Sequence, residues 1–278
     1  MSCYVIGEIG INHNGSLDTT KQLISLAKDC GVDAVKFQKR TINIVYSTAE
    51  REKPRESPWG TTNGQQKEGL EFHQEQYDEI DAYCKDMEID WFASAWDIPS
   101  LRFLSQYDCP HNKIASPMLT NAGFVDAVIA EGVHTYVSTG MTDLQTIHNV
   151  AAKFRKADCP FTLMHCVSTY PTADHDLHLA RIWTLHDIHD RVGYSGHEIG
   201  PYPSICAVWH YGVEAIERHI TLDRSMYGSD QAASLEEKGL RLMVDQIRKL
   251  DMYTGTWVKT ISKGEELNAG KLRYWEAA

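Results

Sequence analysis

The chain reads as an α/β protein of the (β/α)8 TIM-barrel class, and three observations predict it. Strand-like, turn-like and helix-like segments follow one another about eight times over about 250 residues, the rhythm of a closed parallel barrel. Polar residues stand at the C-terminal end of nearly every strand-like segment, where such a barrel opens its mouth. The 278 residues suit one large α/β domain better than two small ones. A doubly wound open sheet is the alternative, but it would gather its polar residues at one switch point.

Each element has a local reason. Residues 4–10 form a first strand and 12–16 a turn; residues 17–30 then carry Leu23, Leu26, Ala27 and Cys30 at helical spacing. Residues 34–38 are the second strand. Residues 39–74 hold Pro54, Pro58, Gly60, Gly64 and many charges. That is long for a strand-to-helix connection, so a lid or substrate loop is expected. Helix 76–87 and strand 90–94 follow. Asp97 and Pro99 open a helix over 98–106 as cap and first-turn proline. The alternation continues with strand 112–115, helix 121–131, strand 135–138, helix 142–157, strand 161–166 and helix 177–188. Strand 191–194, helix 202–211, strand 214–219 and helix 236–253 complete it. The expected organisation is a barrel over 1–253 with the long loop at about 39–74, and a short polar tail over 254–278.

The net charge of −11 argues against extended nucleic-acid binding, which needs a positive field, although a few converging lysines can still hold a small anion. Seven scattered cysteines, with no CxxC pair, read as reduced thiols, Cys166 among them as a buried one. The start lacks a basic, apolar secretion signal and no stretch is long enough to span a bilayer, so a cytoplasmic protein without membrane contact is expected.

Two late segments carry the most chemistry. Val192-Gly193-Tyr194-Ser195-Gly196-His197 and Ala215-Ile216-Glu217-Arg218-His219-Ile220 each read as a strand ending in a histidine, with a polar residue two positions earlier. Strand side chains alternate with period two, so Ser195 shares a face with His197, and Glu217 with His219. On neighbouring parallel strands these would begin a divalent-metal site with open positions. Around the same mouth stand Glu8, Lys36, Gln38, Ser94, Asp97, Lys113, Ser116, Ser138, Thr139, His165, Ser168 and Tyr170. Lys36 and Lys113 would be costly to bury unpaired, and an anionic ligand between them would remove that cost. Plainer readings accompany these. His13 and Asn14 would shape the first loop, and Trp59, Trp91 and Trp96 would pack. His175, His178, His186 and His189 would lie on the surface of one helix.

The motifs Ile6-Gly7-Glu8-Ile9-Gly10-Ile11-Asn12-His13-Asn14-Gly15-Ser16, Val35-Lys36-Phe37-Gln38, Lys113-Ile114-Ala115-Ser116, Ser138-Thr139-Gly140-Met141, His165-Cys166 with Tyr170-Pro171-Thr172, and Glu217-Arg218-His219-Ile220-Thr221-Leu222-Asp223 with Gly228-Ser229-Asp230 occur in order. Together they resemble the sialic acid synthase (N-acetylneuraminate synthase) family over residues 4–250. The resemblance implies a (β/α)8 transferase that condenses phosphoenolpyruvate with an N-acetylmannosamine-like amino-sugar aldose and releases phosphate. It implies a required divalent metal, Mn2+ or Mg2+, on His197 and His219. It places phosphoenolpyruvate on Lys36, Lys113, Ser116 and Ser138, with Gln38 and Ser94 close by. Glu8, Glu217 and Asp230 would serve the metal, the attacking water and the sugar, with Ser168 and Tyr170 along the sugar. A homo-oligomer is also expected.

Two departures stand out. Many family members have an acidic residue two positions past the serine of Lys113-Ile114-Ala115-Ser116, contacting the sugar; Met118 stands there. The resemblance covers the catalytic barrel without the C-terminal antifreeze-like domain of typical members, and the loop over residues 40–74 is expected to close the site instead. Two other functions fit parts of the pattern: a related 3-deoxy-aldulosonate phosphate synthase, and a non-catalytic sugar- or metal-binding barrel.

Overall fold

The computed structural model describes residues 3–276. Eight parallel strands close into a barrel: β1 (Tyr4–Gly10), β2 (Ala34–Lys39), β5 (Asp90–Ala95), β6 (Asn112–Ile114), β7 (Thr135–Ser138), β8 (Phe161–Cys166), β9 (Val192–Gly196) and β10 (Ala215–His219). Two further strands, β3 (Pro54–Ser57) and β4 (Gly60–Thr62), form a separate antiparallel hairpin. The barrel order follows the chain, and β1 pairs with both β2 and β10 to close it.

The interior explains the mouth. Ile6, Ala34, Phe92, Tyr136, Met164 and Ala215 pack together as a buried apolar floor. Two residues further along each of those strands stand Glu8, Lys36, Ser94, Ser138, Cys166 and Glu217. Because strand side chains repeat every two residues, inward positions turn from apolar to polar near the strand exits. Gly193 keeps the floor dense: a Cβ there would lie 2.3 Å from the Met164 sulfur.

The outer helices bury one face each. Leu240, Met243, Val244 and Ile247 form the buried stripe of the helix Glu237–Arg248, at the i, i+3, i+4, i+7 spacing of an amphipathic helix. Caps set several boundaries: Ser16 accepts from the Thr19 amide, Asp97 from Ser100, Asn121 from Phe124 and Asp143 from Thr146.

Four expectations need correction. Residues 39–74 are not an irregular loop; they hold the helices Ile42–Val45, Thr48–Arg51 and Asn63–Leu70 and the β3–β4 hairpin. Residues 177–188 give only the helix Arg181–His186, preceded by a 3-10 turn over Asp174–Asp176. His175, His178, His186 and His189 therefore do not share a helix: His186 bonds the Tyr211 carbonyl, and His189 stacks on Phe161 with ring centres 3.9 Å apart. The last barrel helix stops at Arg248, and Leu250–Thr254 is a separate short helix. One compact unit runs through Arg248 and a second begins at Lys249. The second contains the helix Lys263–Leu272, opened by a capping box between Ser262 and Glu265. Among the described residues no helix is long and apolar enough to cross a membrane.

Candidate active site

A cavity of about 190 Å3 opens at the C-terminal ends of the barrel strands. Glu8, Lys36, Gln38, Ser94, Lys113, Ser116, Ser138, Ser168, Tyr170, His197, Glu217 and His219 all line it, along with Trp96, Met141 and Ser195. Asp230 is not in that lining; its carboxylate lies 3.8 Å from the His219 Nδ1. Met118 follows Ser116 in a short 3-10 turn, and Pro117, not Met118, reaches the cavity.

The lysines are paired, contrary to the expectation of two bare cations. Lys36 Nζ lies 2.7 Å from Glu8 Oε2 and 3.8 Å from Glu217 Oε1, and Lys113 Nζ lies 3.0 Å from Glu217 Oε2. The reason is register. Glu8 stands opposite Lys36 on β2 and His219 on β10, so carboxylates on β1 and β10 meet the ammonium groups inside the barrel. Lys36 also donates to Ser94 Oγ at 2.9 Å, Gln38 Nε2 to Glu8 Oε1 at 2.7 Å, and Ser195 Oγ to Glu217 Oε1 at 3.1 Å. Burial alone would push the Glu217 carboxyl up; Lys113 and Lys36 outweigh it and hold the group well below the ordinary carboxylate range.

Gly10 makes this convergence possible. It sits at φ +55 where the β1–β2 register shifts, and a Cβ there would lie 3.1 Å from both Glu8 Oε1 and Gln38 Nε2 and 3.4 Å from the His219 ring. The bulge brings three strands' polar groups against bare backbone.

The two histidines face each other with ring centres 5.6 Å apart. His197 Nδ1 donates to the Val167 carbonyl at 2.7 Å, which leaves Nε2 as its lone-pair nitrogen. Burial, then the neighbouring His219, lowers the His197 pKa to about 3, so the ring is neutral. His219 Nδ1 is buried without a hydrogen-bond partner. Imidazoles with a ring nitrogen free of hydrogen bonds suit a borderline divalent cation. Among the described residues no three of His, Cys, Asp and Glu gather into a complete protein cage. Tyr170 covers this pair, its ring centre 4.2 Å from that of His197.

Some polar residues at the strand exits belong elsewhere. His165 has the opposite parity to Cys166 and faces out of the barrel, where Nε2 meets the Leu177 carbonyl at 2.9 Å. Asp97 caps its helix and accepts from the Thr41 amide at 2.7 Å. His13 accepts from the Gly15 amide through Nδ1 and stacks on Phe72, so it shapes the first loop. Trp96, expected to pack, instead forms a cavity wall beneath the Arg40 guanidinium.

One group was missed. Arg218 and Glu198 form a fully buried ion pair at 2.8 Å behind β9 and β10. Arg218 also donates to the Glu198 and Gly200 carbonyls and to Ser204, and Tyr194 donates to Glu198 Oε2. This clamp sits directly behind His197 and His219. The alternation that turned Glu217 and His219 inward also pointed Arg218 outward, and that was the available signal.

A closed parallel barrel whose mouth gathers buried lysines, carboxylates and imidazoles has the form of a (β/α)8 enzyme with its candidate active site at the C-terminal face. Residues 23–259 match the model of the NeuB family, and the chain belongs to that family. It is 38% identical to an N-acetylneuraminate-9-phosphate synthase of Drosophila melanogaster, over 96% of this chain and 74% of the relative. It is 32% identical to an N,N'-diacetyllegionaminic acid synthase of Campylobacter jejuni, over 97% of this chain and 82% of the relative. The crystal structure of a sialic acid synthetase from Leptospira borgpetersenii superposes with a TM-score of 0.83 at 27% identity, covering 98% of this chain and 93% of that one.

Proposed function

We propose that this chain condenses phosphoenolpyruvate with an N-acetylmannosamine-type aldose and releases phosphate, giving a sialic (nonulosonic) acid or its phosphate. The observation that carries the reading is the Lys36–Glu217–Lys113 bridge beside two inward imidazoles in one cavity. The relatives' names, which range from an N-acetylneuraminate 9-phosphate to a diacetyllegionaminic acid, support the product class.

In this reading the lysines exchange part of their carboxylate pairing for the phosphate and carboxylate of phosphoenolpyruvate, with Ser116, Ser138 and Ser94 adding donors. The enol methylene carbon attacks the aldehyde carbon, and water adds to C2 of the cationic centre that results. The tetrahedral product expels phosphate. Glu217 is held low by two lysines and Ser195, so it is a weak base and acts as the spacer between the lysines. Glu8, the other carboxylate in the cavity, takes the proton of the attacking water. Asp230, Ser168 and Tyr170 hold the sugar. His197 and His219 would hold a divalent ion, Mn2+ or Mg2+, whose chemistry when bound is Lewis-acid polarisation of the aldehyde.

The test is phosphate release from phosphoenolpyruvate with a panel of aldoses, with and without Mn2+. Release that needs both an N-acetylated hexosamine and the ion is expected. Release only with an unacetylated tetrose or pentose phosphate would replace this reading by a 3-deoxy-aldulosonate phosphate synthase. His219→Ala should lose Mn2+ binding by calorimetry while keeping the far-ultraviolet circular dichroism of the fold; undiminished Mn2+ binding would remove His219 from the site.

A further inference from the structure

One inward group at the barrel mouth has no part in the chemistry above. Of the residues two positions past the apolar floor, Glu8, Lys36, Ser94, Ser138 and Glu217 line the catalytic cavity, and Cys166, the last residue of β8, does not. Cys166 is buried and stands behind the lining. The Gly140 amide donates to its sulfur at 3.2 Å, and Ser116 Oγ lies 3.1 Å from the same sulfur. Ser116 itself does line the cavity.

Strand order brings these groups together. Ser116 and Gly140 each stand two residues past the end of a strand, β6 and β7, and β7 lies between β6 and β8 in the barrel. The thiol at the end of β8 therefore reaches the exits of two other strands. Only a residue without a side chain fits between them. A Cβ on Gly140 would lie 2.4 Å from Ser168 Oγ, 2.7 Å from Ser116 Oγ and 3.0 Å from Cys166 Sγ. Ser168 Oγ, in the same corner, is buried without a hydrogen-bond partner among the described residues, and it also lines the cavity. The two serines are thus set around bare backbone, and one of them is held from behind by a thiol.

We infer that Cys166 is a positioning residue for Ser116. The inference rests on the condensation proposed above, in which Ser116 serves phosphoenolpyruvate. The proton inventory gives its direction. The Gly140 amide can only donate, so it takes a lone pair of the sulfur. An anion only accepts, so a serine that serves it must give that anion its single proton. The Ser116 oxygen is then an acceptor, and the Cys166 S–H, 3.1 Å away, donates to it. The thiol in this way fixes the Ser116 side chain and leaves its O–H for the cavity. Without the thiol, the serine would have to be ordered by the ligand itself, which weakens binding.

The experiment titrates phosphoenolpyruvate by calorimetry, with Mn2+ and without aldose. The proteins are wild type, Cys166→Ala, Cys166→Ser, Ser116→Ala and the variant carrying both Cys166→Ala and Ser116→Ala. Cys166→Ala should raise the Kd by about 3- to 10-fold, the cost of ordering one freed side chain. Cys166→Ser keeps a donor and should recover most of that loss. Ser116→Ala removes a contact to a charged ligand and should raise the Kd by about 10- to 100-fold. Adding Cys166→Ala to Ser116→Ala should then change nothing, because the thiol acts only through the serine. Losses that multiply in the double variant would mean that the thiol merely packs, and would overturn the inference. Equal losses in Cys166→Ala and Cys166→Ser, or wild-type binding by Cys166→Ala, would overturn it too. If circular dichroism shows Cys166→Ala unfolded, Cys166→Val fills the space without a donor and takes its place in the cycle. Each of these outcomes leaves the condensation standing. Wild type that does not bind phosphoenolpyruvate would overturn the condensation, and the inference with it.

Discussion

Glu217 shows how one side chain can decide the electrostatics of a mouth. It meets Lys113 at 3.0 Å and Lys36 at 3.8 Å, and it also accepts from Ser195. Removing one partner of a buried pair leaves the other charge uncompensated, which costs about 3–5 kcal/mol. Lys113→Ala should therefore lower stability by that order in urea denaturation. It should also raise the KM for phosphoenolpyruvate by about 10- to 100-fold while moving the sugar KM far less. Equal effects on both substrates would remove Lys113 from the anion site. The inward placement of Lys36, Lys113, His197 and His219 was legible in the sequence, because strand parity alone fixes which side chains share a face. Their pairing was not. It depends on the register between β1, β2 and β10, which has no mark in the local sequence, and on the bulge at Gly10, whose one local mark is the glycine itself.

At the scale of the element, β9 and β10 act as a two-faced unit. Their inner faces present Ser195, His197, Glu217 and His219, and behind them Arg218 and Glu198 close a buried ion pair. Arg218→Leu should destabilise the chain by about 3–5 kcal/mol, because Glu198 keeps its charge and loses its partner. Arg218→Leu combined with Glu198→Leu should recover much of that loss, and a urea-denaturation cycle over the four proteins measures the coupling. A single variant as stable as wild type would mean that Arg218 does not hold the histidine strands. The segment 39–74 teaches a different lesson. Its helices and hairpin are short, and short elements have weak local signatures. What orders them is contact, such as Trp59 lying where a Cβ on Gly69 would be 2.1 Å from its ring. Proline, glycine and charge counts read such a segment as a loop because none of them reports that contact.

For the molecule as a whole, the barrel was legible because its evidence is repetitive: eight strand–helix units each supply the same period-two and amphipathic signals. The break at Lys249 was hidden because helical propensity runs through it. Closing the barrel also buries imidazoles in several parts of the fold, and this makes the whole fold sensitive to acid. His13 stacks on Phe72 in the first loop, and burial, then Arg40, lowers its pKa to about 3. His134, bonded to His111 and Thr162, falls to about 3 through burial, then His111, Arg191 and His189. His111 and His165 are also lowered, chiefly by burial. The sign follows from linkage. Below about pH 6.5 the unfolded chain protonates these rings, while the folded chain resists it, His13 and His134 staying neutral until near pH 3. Their stabilisation is thus complete above pH 6.5 and declines as pH falls toward the folded values. Fully buried His13 alone should lose about 1.4 kcal/mol between pH 7.5 and 5.5; His134, partly exposed, should lose less. Melting temperatures across that interval should fall by about 3 °C or more, and His13→Gln should flatten the slope of stability against pH by nearly one proton. A melting temperature that held steady or rose toward pH 5.5 would show that these rings do not stay neutral in the folded chain.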